Sequence, residues 1–267
     1  MYGKESTIAH AIIVKSRRTA ATMTGTMGAV EAVAPAKLSV EDHYSWKRDQ
    51  RFFIGMALAA IVAVFVGFYP TYYLKAWWQT PVLPSLVHLH GLVFTAWIAL
   101  LATQTSFVAM GRIDLHRRLG ITGAVLALVM TVVAFYTAIG AVQRGRITAD
   151  FLPHALATVV VFPVLVGAAF MMRRRADAHK RLMWIATTEL LAAAVGRWPV
   201  IWRSSAFVSY AATDVFLAAL LVYDLATRRR PHPATIWGGA FLITSQILRT
   251  IIAPTATWLA FARWLTT

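Results

Sequence analysis

Cysteine is absent from this 267-residue chain. Its absence excludes disulfides, cysteine nucleophiles, thiolate zinc sites and iron–sulfur clusters. Charge is also scarce, because 14% of the residues are Asp, Glu, Lys or Arg, against about 25% in a typical soluble domain. Hydrophobic residues make up 58% of the chain, and they occur in runs close to the roughly 20 residues that a helix needs to cross a bilayer. These features predict an all-α, polytopic membrane protein.

Signatures of several enzyme and pigment classes are missing as well. The chain contains no HExxH, GxSxG or P-loop sequence, so it lacks the local patterns of zinc proteases, serine hydrolases and P-loop nucleotide-binding proteins. A retinal protein is excluded, because its Schiff base needs a lysine in the last membrane helix. The six lysines lie elsewhere, at Lys4, Lys15, Lys37, Lys47, Lys75 and Lys180. Whether the chain is an enzyme is left undecided.

Seven apolar segments are close to membrane length. They are residues 52–73, 86–110, 119–142, 151–172, 182–198, 207–225 and 236–259. Residues 51–267 are therefore expected to form a transmembrane bundle of about seven helices. Residues 1–50 are polar and basic and contain no apolar core of a secretory signal. They predict a disordered cytoplasmic tail. Met23 and Met27 are alternative start sites, so the residues before them are a candidate extension added by the gene model.

Most basic residues lie in the loops on the same side of the membrane as the N-terminus. That side contains Lys47, Arg48, Arg51, Arg112, Arg117, Arg118, Arg173, Arg174, Arg175, Lys180, Arg181, Arg228, Arg229 and Arg230, while the opposite loops contain Lys75, Arg144, Arg146, Arg197 and Arg203. The positive-inside rule then predicts a cytoplasmic N-terminus and an outer C-terminus in a bacterial-type inner membrane. Because this topology accounts for the net charge of +15, the predicted partner is the lipid bilayer and not nucleic acid.

Two similar hexapeptides precede the third and fifth segments: DLHRRL at residues 114–119 and DAHKRL at residues 177–182. In one interpretation they are helix-start signals, in which the acid caps the helix or complements its dipole and the basic residues obey the positive-inside rule. In the other, His116 and His179 face one ligand at the cytoplasmic end. The basic residues that would then bind the acidic groups of this ligand are Arg117, Arg118, Lys180 and Arg181.

Histidines also lie near the predicted outer face. His88 and His90 begin the second segment and His154 begins the fourth, and His90, Trp97 and Gln104 share one helix face at heptad spacing. Histidine pairs on neighbouring apolar helices suit b-type haem, whose iron takes two imidazoles and whose propionates pair with arginine. The sequence thus offers His88 or His90 with His154 outside, beside Arg197, and His116 with His179 inside. No membrane-embedded carboxylate lies at ligand spacing from these histidines, so no separate metal site is predicted.

Three charged residues lie inside the later segments: Glu189, Asp214 and Arg249. Charges at this depth are costly and mark a functional interior or a structural ion pair. Arg249 can neutralise only one of the two acids. The remaining acid would then be a proton or cation site.

Residues 86–120, LVHLHGLVFTAWIALLATQTSFVAMGRIDLHRRLG, resemble an uncharacterised family of bacterial inner-membrane proteins with an HxHG…W…Q…HRxxG pattern. Residues 178–198, AHKRLMWIATTELLAAAVGRW, resemble the second signature of the same domain-of-unknown-function family. The resemblance covers roughly residues 52–231 and implies a bundle that is similar to those of b-type cytochromes. It groups His88, His90, Trp97, Gln104, His116, Arg117, Gly120, His179, Arg181 and Arg197 as one constellation.

Two functional hypotheses follow from these residues. The first is a cytochrome-b-like redox protein that binds haem b through helix-end histidines, with quinone as a candidate partner. The alternative is a cofactor-free transporter or accessory protein with Glu189, Asp214 and Arg249 as its polar core. In a third, weaker hypothesis the basic histidine rim binds anionic lipid or a protein partner. The oligomeric state is left open.

Overall fold

The computed structural model describes residues 40–267 apart from Gln79, Trp202 and Arg203, with side chains from residue 46 onward. Every regular element in this part of the chain is helical, which confirms the predicted all-α class. Helix α1 (Val40–Phe68) continues into a π-helical turn (Tyr69–Tyr73). The helices that follow are α2 (Ser85–Ala109), α3 (Ile113–Gln143), α4 (Leu152–Met171), α5 (Ala176–Val195), α6 (Ala206–Thr213), α7 (Val215–Arg228), α8 (Pro233–Ile252) and α9 (Ala256–Thr266).

Six segments of the described chain are long and apolar enough to cross a membrane. They are Trp46–Tyr73, Ser85–Ala109, Ile113–Gln143, Leu152–Met171, Ala206–Arg228 and Pro233–Ile252. Each contains close to or more than the roughly 20 residues that a bilayer requires. The chain is therefore a multi-pass membrane protein in contact with lipid.

Helix α5 is the most polar of the long helices and also the most enclosed. It contains Asp177, Lys180, Arg181 and Glu189, yet thirteen of its twenty residues are buried. Helices α1, α4, α6, α7 and α8 all pack against it. Because its neighbours shield it from lipid, α5 can hold charged side chains that would be unfavourable at the lipid-facing surface.

The first five helices form a closed ring in which each packs against the next and α1 packs against α5. Trp97 of α2 fills the centre, where its indole N–H donates to the Thr187 hydroxyl at 3.2 Å and its ring meets Phe162 edge to face. Met130 is also fully buried in this core. Lipid is as apolar as these side chains, so the hydrophobic effect does not drive the helices together. Close packing and hydrogen bonds between helices stabilise the ring instead.

A close backbone approach joins α1 to α5. A Cβ atom on Gly67 would lie 2.3 Å from the carbonyl oxygen of Ala194. Because this oxygen belongs to the backbone, no side-chain movement could relieve the clash. Glycine at this position therefore lets the two helices approach closely, as small residues do at other membrane helix contacts.

The boundary predicted for the last segment was wrong. The last predicted segment, residues 236–259, is two helices, because Pro254 has no backbone N–H and Thr255 caps α9 by accepting from Trp258 N–H at 3.3 Å. Residues 207–225 lie within one span, Ala206–Arg228, whose backbone hydrogen bonds continue through Asp214. Helix α5 begins at Ala176, so the hexapeptide at residues 177–182 forms its first turns, as the helix-start interpretation predicted. Helix α1 begins at Val40, within the predicted tail of residues 1–50, of which residues 1–39 lie outside the described chain.

Candidate functional site

The two hexapeptides lie at the same end of the bundle, because α3 and α5 run in the same direction. Asp114 and Asp177 are in the first turns of these helices, but neither N-cap residue makes a side-chain cap. The two acids can still complement the helix dipoles. Asp177 instead makes ion pairs, with Lys180 at 2.7 Å and with Arg181 and Arg228 at 3.4 Å each.

The histidines of the two hexapeptides converge. The ring centroids of His116 and His179 are 6.2 Å apart and their planes are nearly perpendicular, at 82°. Nδ1 of His179 lies 2.9 Å from the carbonyl oxygen of Ala169, so it carries the proton and donates. The second ring nitrogen of His179, Nε2, is left for another partner. Both rings are half-buried.

Gln104 of α2 joins this pair. In the orientation that satisfies its amide, Nε2 donates to Nδ1 of His116 at 2.7 Å and to the His116 carbonyl at 3.1 Å, while its oxygen accepts from Gly120 N–H at 3.0 Å. The predicted stripe of His90, Trp97 and Gln104 therefore does follow the inside of the helix ring. Gln104, His116 and His179 form the candidate site at its basic end.

The four basic residues of the hexapeptides have different surroundings. Arg117 and Arg118 are exposed. Lys180 pairs with Asp49 and Asp177. Arg181 is 1% exposed and is bound by Asp224, which is fully buried. The positive charge of Arg181 is thus already balanced inside the bundle.

Asp224 was not among the predicted site residues, although it organises this end of the bundle. Its Oδ1 accepts from Nε of Arg181 at 2.8 Å, and its Oδ2 accepts from the Thr235 hydroxyl at 2.6 Å and from His232 N–H at 3.0 Å. The carboxylate thereby ties α5, α7 and α8 together. The only hint in the sequence is an acid one turn before the basic end of an apolar segment.

The predicted outer histidines make other contacts in the described part of the chain. His88 is exposed, and His90 stacks on Phe94 with ring centroids 4.1 Å apart. His154 turns elsewhere, with Nδ1 2.8 Å from the Tyr210 hydroxyl. Among the described residues, no hydrogen bond or ring contact joins His154 to His88 or His90. Arg197, expected beside them, is exposed; its guanidinium lies 4.9 Å from the centre of the Phe68 ring and close enough to His90 for an electrostatic interaction with it.

Glu189 and Arg249 form a second polar site, in which two hydrogen bonds of 2.9 and 2.8 Å join the guanidinium to the carboxylate. The Thr158 hydroxyl donates to the same carboxylate at 2.7 Å, and the guanidinium lies 4.9 Å from the centre of the Tyr210 ring. The sequence predicted a structural ion pair as one of two interpretations of these buried charges, and Arg249 forms that pair with Glu189.

Asp214 is the acid that Arg249 does not pair with. It is half-buried where α6 passes into α7 and accepts from the Gln246 side chain at 3.0 Å.

The chain matches no protein-family model, no curated protein and no solved structure. The resemblance of residues 86–120 and 178–198 to a bacterial inner-membrane family stays a prediction.

Proposed function

We propose that this membrane protein is a redox protein that binds one haem b between His116 and His179. The observation that carries the proposal is the 6.2 Å between the two ring centroids. Imidazole nitrogens bind transition metals at about 2 Å, so two opposed rings on one metal have centres roughly 6 Å apart. Perpendicular rings are compatible with this arrangement, because each imidazole can rotate about its own metal–nitrogen bond.

The hydrogen bond of His179 supports the same assignment. A histidine that binds a metal through Nε2 usually donates from Nδ1 to a carbonyl or carboxylate, and His179 makes such a bond to Ala169. Nδ1 of His116 instead accepts from the Gln104 amide. Iron binding through Nε2 of His116 would therefore move the ring proton to Nδ1 and break this bond.

Arg117 and Arg118 are the residues we assign to the propionates, because they are exposed at the same helix end as His116. Lys180 and Arg181 are less suited, since acids already bind them. Bound haem would supply one-electron transfer. With no outer histidine pair among the described residues, we place the single haem at the basic end, where quinone or a redox partner would exchange electrons with it.

The test is an optical spectrum of the detergent-purified protein, expressed with haem precursor, before and after dithionite. We expect a Soret band that shifts on reduction and is lost in His116→Ala and in His179→Ala. His88→Ala, at the opposite end, is the matched control and keeps the band. A colourless wild-type protein in the presence of haem would refute the proposal.

A second candidate function is a cofactor-free proton or cation transporter. The observation that favours it is an acid with no ion pair among the described residues, Asp214, close to the buried Glu189–Arg249 pair. Ionisable residues inside membrane helices mark the ion and proton pathways of many transporters. Asp214→Asn should abolish potential-driven proton uptake into proteoliposomes, whereas Asp114→Asn at the exposed helix start should not. Wild-type vesicles that take up protons no faster than empty ones would exclude this function.

We also propose the finer localisation that the basic residues predict: a bacterial-type inner membrane, with the N-terminus in the cytoplasm. It is supported by the basic helix ends, since the ends of α3, α5 and α7 that contain Arg117, Lys180 and Arg228 lie together.

A further inference from the structure

An apolar groove runs between α4, α5 and α8, on the side of α5 that faces away from the helix ring. Its volume is about 760 Å³ and it is open along its length. Val164, Leu165, Leu182 and Phe241 are among the apolar side chains that line it. The haem proposal uses none of these residues.

Small side chains create the groove. Ala168, Ala178 and Ala234 line it, one each from α4, α5 and α8, and Trp237 stands at its edge, 76% exposed. In a bilayer this opening faces lipid. The groove is therefore shaped for a long, thin apolar chain that enters from the side.

The length of the groove is close to that of one leaflet. Its lining extends along α4 from Val164 to Met172 at the helix C-cap, which is about 12 Å at the rise of an α-helix, and Arg175 of the following turn lies at its mouth. Half of the hydrocarbon core is about 15 Å thick. A single acyl chain of the leaflet at the basic end would fill it.

The mouth of the groove is positively charged. Arg175, Asp177 and His232 lie there, but three basic side chains already neutralise Asp177: Lys180, Arg181 and Arg228. Arg175 is exposed, as are Arg173 and Arg174 beside it. The charge complementary to this mouth is that of a phosphate at the membrane surface.

We propose that the groove holds an anionic phospholipid, with one acyl chain between α4 and α8 and its phosphate at Arg175. A quinone is the less suitable occupant, because its neutral head group offers no charge to the cations at the mouth. The lipid would also seal α8 against α4 near the Asp224 network. This assignment is independent of the haem proposal, since it uses other residues and another readout.

The experiment measures lipid retained by the full-length protein after delipidation and incubation with mixed micelles of phosphatidylglycerol and phosphatidylcholine in equal amounts. Native mass spectrometry then counts the lipid bound. We expect wild type to retain phosphatidylglycerol preferentially. Ala168→Phe, which fills the groove, should reduce retention by about tenfold, while Val132→Phe on the exposed face of α3, away from the groove, should not.

A charge variant keeps the proposal testable even if Ala168→Phe does not fold. Arg175→Gln should remove most of the preference for phosphatidylglycerol, and its neighbour Arg174→Gln should leave it intact. Equal retention of both lipids by wild type would overturn the proposal. So would undiminished retention by the folded Ala168→Phe variant, or co-purification of an isoprenoid quinone that Ala168→Phe displaces.

Discussion

Replacing Arg249 with leucine will leave the carboxylate of Glu189 buried without its cationic partner. The side chains of both residues are nearly inaccessible, with relative exposures of 3% for Arg249 and 0% for Glu189. Removing one member of a buried ion pair typically costs about 3–5 kcal/mol, because the remaining charge is neither solvated nor compensated. The Thr158 hydroxyl is too weak a partner to offset this cost. We therefore expect Arg249→Leu to lower the free energy of unfolding by about 3–5 kcal/mol.

The exposed pair of Arg112 and Asp114 is the matched control. Its atoms are 3.8 Å apart and its side chains are 57% and 49% exposed, so Arg112→Gln should cost less than about 1 kcal/mol. Equilibrium unfolding in mixed micelles of increasing denaturing detergent measures both. The double variant Glu189→Leu/Arg249→Leu removes both charges and should recover most of the loss. A cost below about 1 kcal/mol for Arg249→Leu, or a double variant as unstable as the single one, would refute the reasoning.

Three further predictions concern the helix contacts, the pH dependence and the topology. Gly67→Val should destabilise the protein strongly in the same unfolding assay, because its Cβ would lie 2.3 Å from the Ala194 oxygen, whereas Gly167→Val, with no atom within 4 Å, should be tolerated. Partial burial, with Arg181 and Arg228 nearby, lowers the pKa of His232, whose Nδ1 accepts the capping bond from Ala234 N–H. The resulting stability is present above the unfolded pKa of about 6.5 and lost as the pH falls below it. Melting temperatures of wild type and His232→Ala, which has no cap acceptor, should therefore diverge above pH 7 and converge near pH 5. The cysteine-free chain allows single-cysteine labelling: Arg229→Cys should react only in permeabilised cells and Val200→Cys in intact ones, and the reverse pattern would contradict the proposed orientation.

Local properties of the chain predicted the membrane class and the approximate position of most helices. An apolar run and the Lys and Arg residues that flank it are properties of one segment of the chain. They do not depend on what that segment packs against. The error arose where a proline and a cap decide the boundary. Thr255 caps a separate helix after Pro254.

The candidate site was only partly predictable. Alternating helix directions place His116 and His179 at the same end, and the heptad spacing correctly grouped Trp97 with Gln104. The rotation of each helix about its axis is not encoded in these patterns. His154 of α4 therefore faces Tyr210 instead of His90, and the partner of Arg181 turned out to be Asp224, an acid 43 residues away in the chain.

Taken alone, the sequence determined that this chain crosses a membrane as helices, which ends of the helices are basic, and which polar residues lie within apolar segments. Hydrophobicity and charge are properties of each residue, and the bilayer sorts them by depth. Only the tertiary structure decided which polar residues meet. Helix rotation and packing bring His116 to within 6.2 Å of His179, pair Glu189 with Arg249 and open the groove beside Ala168. Those contacts depend on the shapes of several helices at once.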